Sequence, residues 1–158
     1  MSGSDGSPER SAVAPVSGVH HIAITVSDLD RSVAWYSKVF GLVETMRAGG
    51  SGPQVSAVTQ VPDARVTAVF LTVGDVHVEL LHHETEGQPF DRRNNDIGTM
   101  HVCFLVPDVD QAYEALRHED VAINAPPVHN TEGPLRGWSA LYLRDPDGIQ
   151  LELLSQHQ

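Results

Sequence analysis

One stretch of this chain occurs twice, and that repeat limits the possible folds more than any other feature. Gly18-Val19-His20-His21-Ile22-Ala23-Ile24-Thr25-Val26-Ser27-Asp28-Leu29-Asp30 is echoed 80 positions later by Gly98-Thr99-Met100-His101-Val102-Cys103-Phe104-Leu105-Val106-Pro107-Asp108-Val109-Asp110. In each copy a glycine precedes a histidine, an apolar run of strand character follows, and Asp-x-Asp opens a helix. A second echo closes each half, Val78-Glu79-Leu80-Leu81 in the first and Leu151-Glu152-Leu153-Leu154 in the second. Two halves that each begin with a histidine on a strand and end with a glutamate on a strand imply a duplicated module. At 158 residues the chain is one compact domain or two half-size modules sharing a core, because so short a chain seldom supports two independent cores.

The expected organisation is a Ser-, Gly-, Pro- and Ala-rich disordered leader over 1–17, a first module over 18–83, a linker over 84–97 and a second module over 98–155. In the first module, alternation puts Ile22, Ile24 and Val26 on one strand face and His21, Ala23 and Thr25 on the other. Ser27 or Asp28 caps a helix carrying Val33, Tyr36, Val39 and Phe40, and Gly41 stops it. Leu42 to Met46 reads as a second strand, and Gly49-Gly50-Ser51-Gly52-Pro53 as a flexible loop. Residues 54–60 fit strand or helix. Val66–Val73 and Val76–Leu81 form a hairpin about Gly74-Asp75, with His77, Glu79 and Leu81 facing together. The second module repeats the plan: His101–Val106 as strand, then a helix from about Val109 to His118. Asp108 caps that helix with Gln111 in the capping-box position, and Ala112, Ala115 and Leu116 are its buried stripe. Residues 124–137 form a loop long enough to act as a lid. Trp138–Arg144 and Ile149–Leu154 are the closing strands, joined by Asp145-Pro146-Asp147-Gly148. The fold class is therefore α+β. Two modules of strand, helix and antiparallel strands set their sheets side by side and curl into a partly open barrel, with the helices outside.

Charge narrows the function. Acidic residues outnumber basic ones, 21 to 10, for a net charge of −11, and such a surface repels phosphate backbones and anionic lipid. Neither nucleic acid nor membrane is an expected partner. No apolar run approaches the roughly 20 residues of a membrane helix. The single cysteine, Cys103, excludes an internal disulfide and fits a reducing, cytoplasmic setting.

His21, Glu79, His101 and Glu152 then stand at matched positions on one concave face. Two imidazoles and two carboxylates make a neutral set around a divalent metal ion and leave room for water or substrate. Glutamates inside Val-Glu-Leu-Leu and Leu-Glu-Leu-Leu are costly unless paired or ligated. His20 is out of register with His101 and is expected on the far face. His77 is expected in the pocket wall or behind the ligands, His82 and His83 in solvent, and Cys103 as a small buried hydrophobe.

These residues resemble the vicinal oxygen chelate superfamily, which groups glyoxalase I, methylmalonyl-CoA epimerase, extradiol dioxygenases and fosfomycin or bleomycin resistance proteins. The resemblance rests on His21 to Val26 with Asp28-Leu29-Asp30 and Trp35-Tyr36, Phe40-Gly41-Leu42, Val78 to Leu81, His101 to Val106, and Asp145 to Leu153. It implies paired βαβββ modules and one metal held by His21, Glu79, His101 and Glu152: zinc, nickel, cobalt or manganese. It also implies a glyoxalase-type isomerase, epimerase or lyase that moves a proton beside a carbonyl through a metal-bound enediolate, on a small substrate with adjacent oxygens. Glu152 is expected as base and ligand, with Glu79 as its counterpart in an epimerisation. Arg92, Arg93 and Arg136 are available for an anionic substrate. The rival readings are an Fe(II)-dependent extradiol-type dioxygenase using His21, His101 and Glu152, and a non-catalytic antibiotic-binding resistance protein. A homodimer is the expected assembly.

Overall fold

The computed structural model describes residues 13, 14 and 16–156; most of the expected leader lies outside the described residues. The chain runs β1 (His21–Thr25), α1 (Leu29–Phe40), β2 (Val43–Ser51), α2 (Pro53–Thr59), β3 (Arg65–Val73), β4 (Val76–His83), β5 (Val102–Leu105), α3 (Val109–Leu116), β6 (Ala122–Ile123), β7 (Val128–His129), β8 (Trp138–Arg144) and β9 (Gln150–Gln156). Two mixed sheets result, with strand orders β1-β4-β3-β2 and β5-β9-β8-β6, and β7 pairs with β8. In each, the first strand runs parallel to the last and the remaining pairs are antiparallel. The duplicated βαβββ-like plan is therefore present in an α+β fold. The two sheets are not hydrogen-bonded to each other, so the described residues of one chain do not close a barrel.

Alternation decides what is buried. Ile24 and Val26 of the β1 segment, Val69 and Leu71 of β3, Val78 and Leu80 of β4, Leu141 and Leu143 of β8, and Leu151 and Leu153 of β9 are all at most 6% exposed and join one core with residues of α1 and α3. The helix-covered faces of both sheets thus feed a single core, as expected for a chain of this size. The ring of Phe40 on α1 meets that of Phe104 on β5 at 4.8 Å. Tyr36 Oη donates to Asp145 Oδ2 at 3.0 Å, Arg31 Nη2 donates to Asp147 Oδ1 at 2.6 Å, and Lys38 Nζ donates to Glu119 at 2.6 Å. Helix α1 is therefore clasped by the second module.

Both helix starts follow the sequence. Asp28 accepts from the Arg31 N–H and Gly41 ends α1 at φ 69°, while Asp108 accepts from the Asp110 and Gln111 N–H groups. Gln111 reaches the Asp108 side chain rather than the cap's own N–H. Helix α3 ends at Leu116, and Tyr113 takes the half-buried place expected of Ala115, which is exposed. Residues 53–59 are helical. Gly49-Gly50-Ser51 is not a loop but the end of β2, because a Cβ on Gly50 would lie 3.3 Å from Val55 Cγ2 and the bare backbone lets α2 settle on the strand. The expected lid is tied down by β7 and by bonds from the Asn124 and Asn130 N–H groups to the Tyr142 and Trp138 carbonyls.

Candidate functional site

Opposite the core, each sheet keeps a partly open face, and each face carries one histidine–glutamate pair. In the first module Glu79 sits between Ala23 of β1 and Phe70 of β3 in register, and His21 Nε2 approaches Glu79 Oε2 at 3.1 Å. In the second, Glu152 sits between Cys103 of β5 and Tyr142 of β8, and His101 Nε2 approaches Glu152 Oε2 at 3.0 Å. The glutamate side chains are 14% and 12% exposed and the histidines 38% and 39%. Each carboxylate is thus rooted in its sheet with an imidazole open to solvent beside it.

Each pair supplies two of the four donors expected from the sequence. An imidazole Nε2 and a carboxylate oxygen on rigid strands suit a borderline divalent cation. All four do not meet in one chain: among the described residues no group of three or more His, Cys, Asp or Glu side chains is gathered closely enough to hold a metal. The donor chemistry of each pair suits a divalent ion, and two donors alone do not complete its coordination.

The neighbours of the pairs differ from several expectations. His20 is not on the far face: its Nδ1 lies 2.9 Å from His21 Nδ1, and its ring packs against Phe70 and His77. The strand begins at His21, so alternation does not extend to His20. His77 is bonded through Nδ1 to Thr72 Oγ1 at 3.0 Å, and its ring lies near that of His20. His82 and His83 are not in solvent. They are part of β4 and half-buried, His82 Nδ1 lies 3.3 Å from the Val26 carbonyl, and His83 Nδ1 is buried with no hydrogen-bond partner. Both line a cleft of about 1160 Å³ between β1, the 84–92 segment and the start of β5, which His101 also borders.

Cys103 is exposed, because β5 is an edge strand with β9 as its one neighbour. Its side chain and that of Tyr142 flank Glu152 in register. Burial, then the Glu152 charge, pushes the Cys103 thiol up to about 12 and raises the Tyr142 phenol; both therefore stay protonated donors at neutral pH. The sequence offered Tyr142 as a site residue only through its place directly opposite Glu152 on the closing hairpin. Arg92 is engaged with the Ile97 carbonyl and Arg93 with Asp96, and neither touches a His–Glu pair.

Known proteins resemble this chain in sequence and in fold. A family model described as glyoxalase/bleomycin resistance protein/dioxygenase superfamily matches residues 18–153. The chain belongs to this superfamily. It is 36% identical over 144 residues to a 2-epi-5-epi-valiolone epimerase from Actinomyces sp, covering 87% of this chain and 78% of that one. It is 32% identical to an ethylmalonyl-CoA/methylmalonyl-CoA epimerase from Cereibacter sphaeroides, over 63% and 68% of the two chains. A glyoxalase family protein from Bacillus cereus shares the superfamily fold at TM-score 0.77 and 20% identity, covering 94% of this chain and 99% of its own.

Proposed function

We propose that this chain is a divalent-metal-dependent epimerase acting on a small sugar-like hydroxy-ketone. The observation that carries the reading is the pair of matched His–Glu contacts, 3.1 and 3.0 Å, on equivalent strands of the two modules. His21, Glu79, His101 and Glu152 would hold the ion. Once bound, a divalent cation stabilises the negative charge that develops on a carbonyl and its neighbouring oxygen when the adjacent carbon loses its proton. The residues themselves hold the substrate's reacting edge and move the proton. Glu79 and Glu152 are the carboxylates within reach, and positioned general-base assistance contributes about 10²–10⁴ in rate. Named epimerases among the relatives support this reading, as does the setting of the pairs. Their register neighbours are Ala23, Phe70, Cys103 and Tyr142, so no cation stands directly beside either carboxylate.

The four donors come together when two copies associate, so that His21 and Glu79 of one chain face His101 and Glu152 of the other. Support comes from the open donor faces and from Leu105, 75% exposed on the edge strand β5. Two experiments test these statements. After loading with cobalt or manganese, the protein is expected to exchange the carbon-bound proton of 2-epi-5-epi-valiolone with solvent deuterium, followed by proton NMR; no exchange with either ion refutes the epimerase. For the shared site, His21→Ala and His101→Ala chains are assayed singly and co-expressed. A mixed dimer holds one intact site and one doubly broken one, so random pairing restores about a quarter of wild-type activity. A site within each chain gives no recovery.

A further inference from the structure

Both ring nitrogens of His21 have partners. Nε2 lies 3.1 Å from Glu79 Oε2, and Nδ1 lies 2.9 Å from Nδ1 of His20. The His20 ring is itself held by two others, its centroid 6.1 Å from that of Phe70 and 5.6 Å from that of His77. Phe70 also makes a T-shaped contact with the His21 ring at 5.6 Å, so one phenyl ring backs both imidazoles. His77 is fixed in turn through Nδ1 by Thr72 Oγ1 at 3.0 Å, which meets Thr45 Oγ1 at 3.2 Å. The second module lacks this arrangement. Met100 stands at the position matched to His20 and is 75% exposed, and among the described residues His101 is hydrogen-bonded through Nε2 alone.

With both rings neutral, the contact between the two Nδ1 atoms holds one proton, and the ring that carries it is decided by what each Nε2 does. An ionised carboxylate only accepts. While Nε2 of His21 donates to Glu79, Nδ1 of His21 is therefore the acceptor, and the shared proton belongs to Nδ1 of His20. When the Nε2 lone pair is given to a cation, the His21 proton has to sit on Nδ1 and needs an acceptor there, because such a bond fixes the ring of a ligating histidine. Resting on the metal ligation proposed above, we infer that Nδ1 of His20 is that acceptor, so that His20 is a positioning residue that holds the His21 ring toward the ion. Loading then shifts the His21 proton from Nε2 to Nδ1 and the His20 proton from Nδ1 to Nε2. Each ring keeps one proton, and neither changes charge. His101 has no such support, so two histidines that match in sequence are unequal as ligands.

The test separates the ring of His20 from its acceptor atom. His20→Phe keeps a ring against Phe70 and His77 and removes the acceptor, whereas His20→Asn gives up the ring and keeps an acceptor oxygen where Nδ1 stood. Cobalt(II) is titrated into each metal-free protein by competition with a chelator. His20→Phe is expected to weaken cobalt binding about 10- to 100-fold, and His20→Asn to stay within about threefold of wild type. A role confined to ring packing gives the opposite order. Long-range proton–nitrogen NMR of isotope-labelled histidines, at mildly alkaline pH, is expected to find the His20 proton on Nδ1 in metal-free wild type and on Nε2 in the zinc-loaded protein. The inference is overturned if His20→Phe binds cobalt within about twofold of wild type, if His20→Asn is the weaker binder of the two, or if zinc leaves the His20 proton where it was. Wild type that binds neither ion overturns this inference and the metal-dependent reading together. Cobalt binding that follows the expected order, without exchange of the 2-epi-5-epi-valiolone proton, refutes the epimerase and supports the role of His20.

Discussion

Replacing Tyr36 by phenylalanine should loosen the clasp between the first helix and the second module, and its cost follows from the geometry. Tyr36 is fully buried and Asp145 is 5% exposed. The phenol donates to Asp145 Oδ2 at 3.0 Å, while Oδ1 accepts the Asp147 and Ile149 N–H groups at 2.9 and 2.8 Å. Tyr36→Phe keeps the ring contacts with Trp35 and Phe40 but leaves Oδ2 buried without its donor. A hydrogen bond to a charged group contributes about 1.5–3 kcal/mol. In a chain of this size each kcal/mol moves Tm by about 2–4 °C, so the variant is expected to melt roughly 3–12 °C lower at neutral pH.

The pH dependence separates the bond from any lost packing. Burial raises the Asp145 carboxyl above the usual carboxylate range, against the opposing pull of the bonds from Ile149, Tyr36 and Asp147. A group raised in this way binds its proton more readily in the folded state. Asp145 therefore adds stability as pH falls from its folded pKa toward the ordinary carboxylate value, and ionised Asp145 costs stability above that window. The Tyr36 bond favours the ionised form, so its loss costs most above the window. Below the window the bond is neutral, contributing about 0.5–1.5 kcal/mol. Thermal melts of wild type and Tyr36→Phe, followed by circular dichroism at neutral and acidic pH, measure both numbers. A loss under about 2 °C at neutral pH, or the same loss at both pH values, refutes the reasoning.

Asp147, two residues along the same turn, carries the opposite sign. Burial acts to raise it, but bonds from the Ser27 hydroxyl, the Ser27 N–H and Arg31 more than offset this and hold it low; Asp147→Asn should cost about 1–2 kcal/mol at pH 7 by urea denaturation, and the difference should fade as pH drops through the carboxylate range. Cys103, pushed from 9.0 to about 12 by burial and then by Glu152, should alkylate slowly despite its exposure, because its thiolate fraction at neutral pH is about a thousandfold below that of an ordinary cysteine; iodoacetamide labelling should speed up in Glu152→Gln. Gly41→Ala places a side chain at φ 69° and should cost about 1–2 kcal/mol by urea midpoint.

Much of the architecture is legible in the alternation of the longer strands. Val69, Leu71, Val78, Leu80, Leu141, Leu143, Leu151 and Leu153 face the core because period-two patterning and burial coincide there. The misread elements share a cause: each depends on a packing neighbour or an element boundary that alternation does not encode. Gly49 and Gly50 carry a loop signature, yet both pair with β3 opposite Thr67 and Val66, and Val55 of α2 lies close against Gly50. Cys103 looks buried until β5 is known to be an edge. His20 lies just before β1, where alternation no longer governs direction. His82 and His83 read as the frayed end of a strand, whereas β4 continues through them against Thr67 and Val66 of β3.

The same distinction explains why the repeat names the proposed donor residues but not how they would assemble. Periodicity places a side chain on a face; it does not say which faces meet. Here the faces that meet within the chain are the helix-covered ones, joined by Phe40 on Phe104, Tyr36 on Asp145, Arg31 on Asp147 and Lys38 on Glu119. A chain that holds itself together through those faces leaves its two His–Glu pairs pointing away from its own core. Neither pair alone offers enough donors for a divalent ion. On the proposed reading, the missing half of each set would come from the other module of a second copy, so recovery of activity in the mixed His21→Ala and His101→Ala dimer bears directly on how the site is completed.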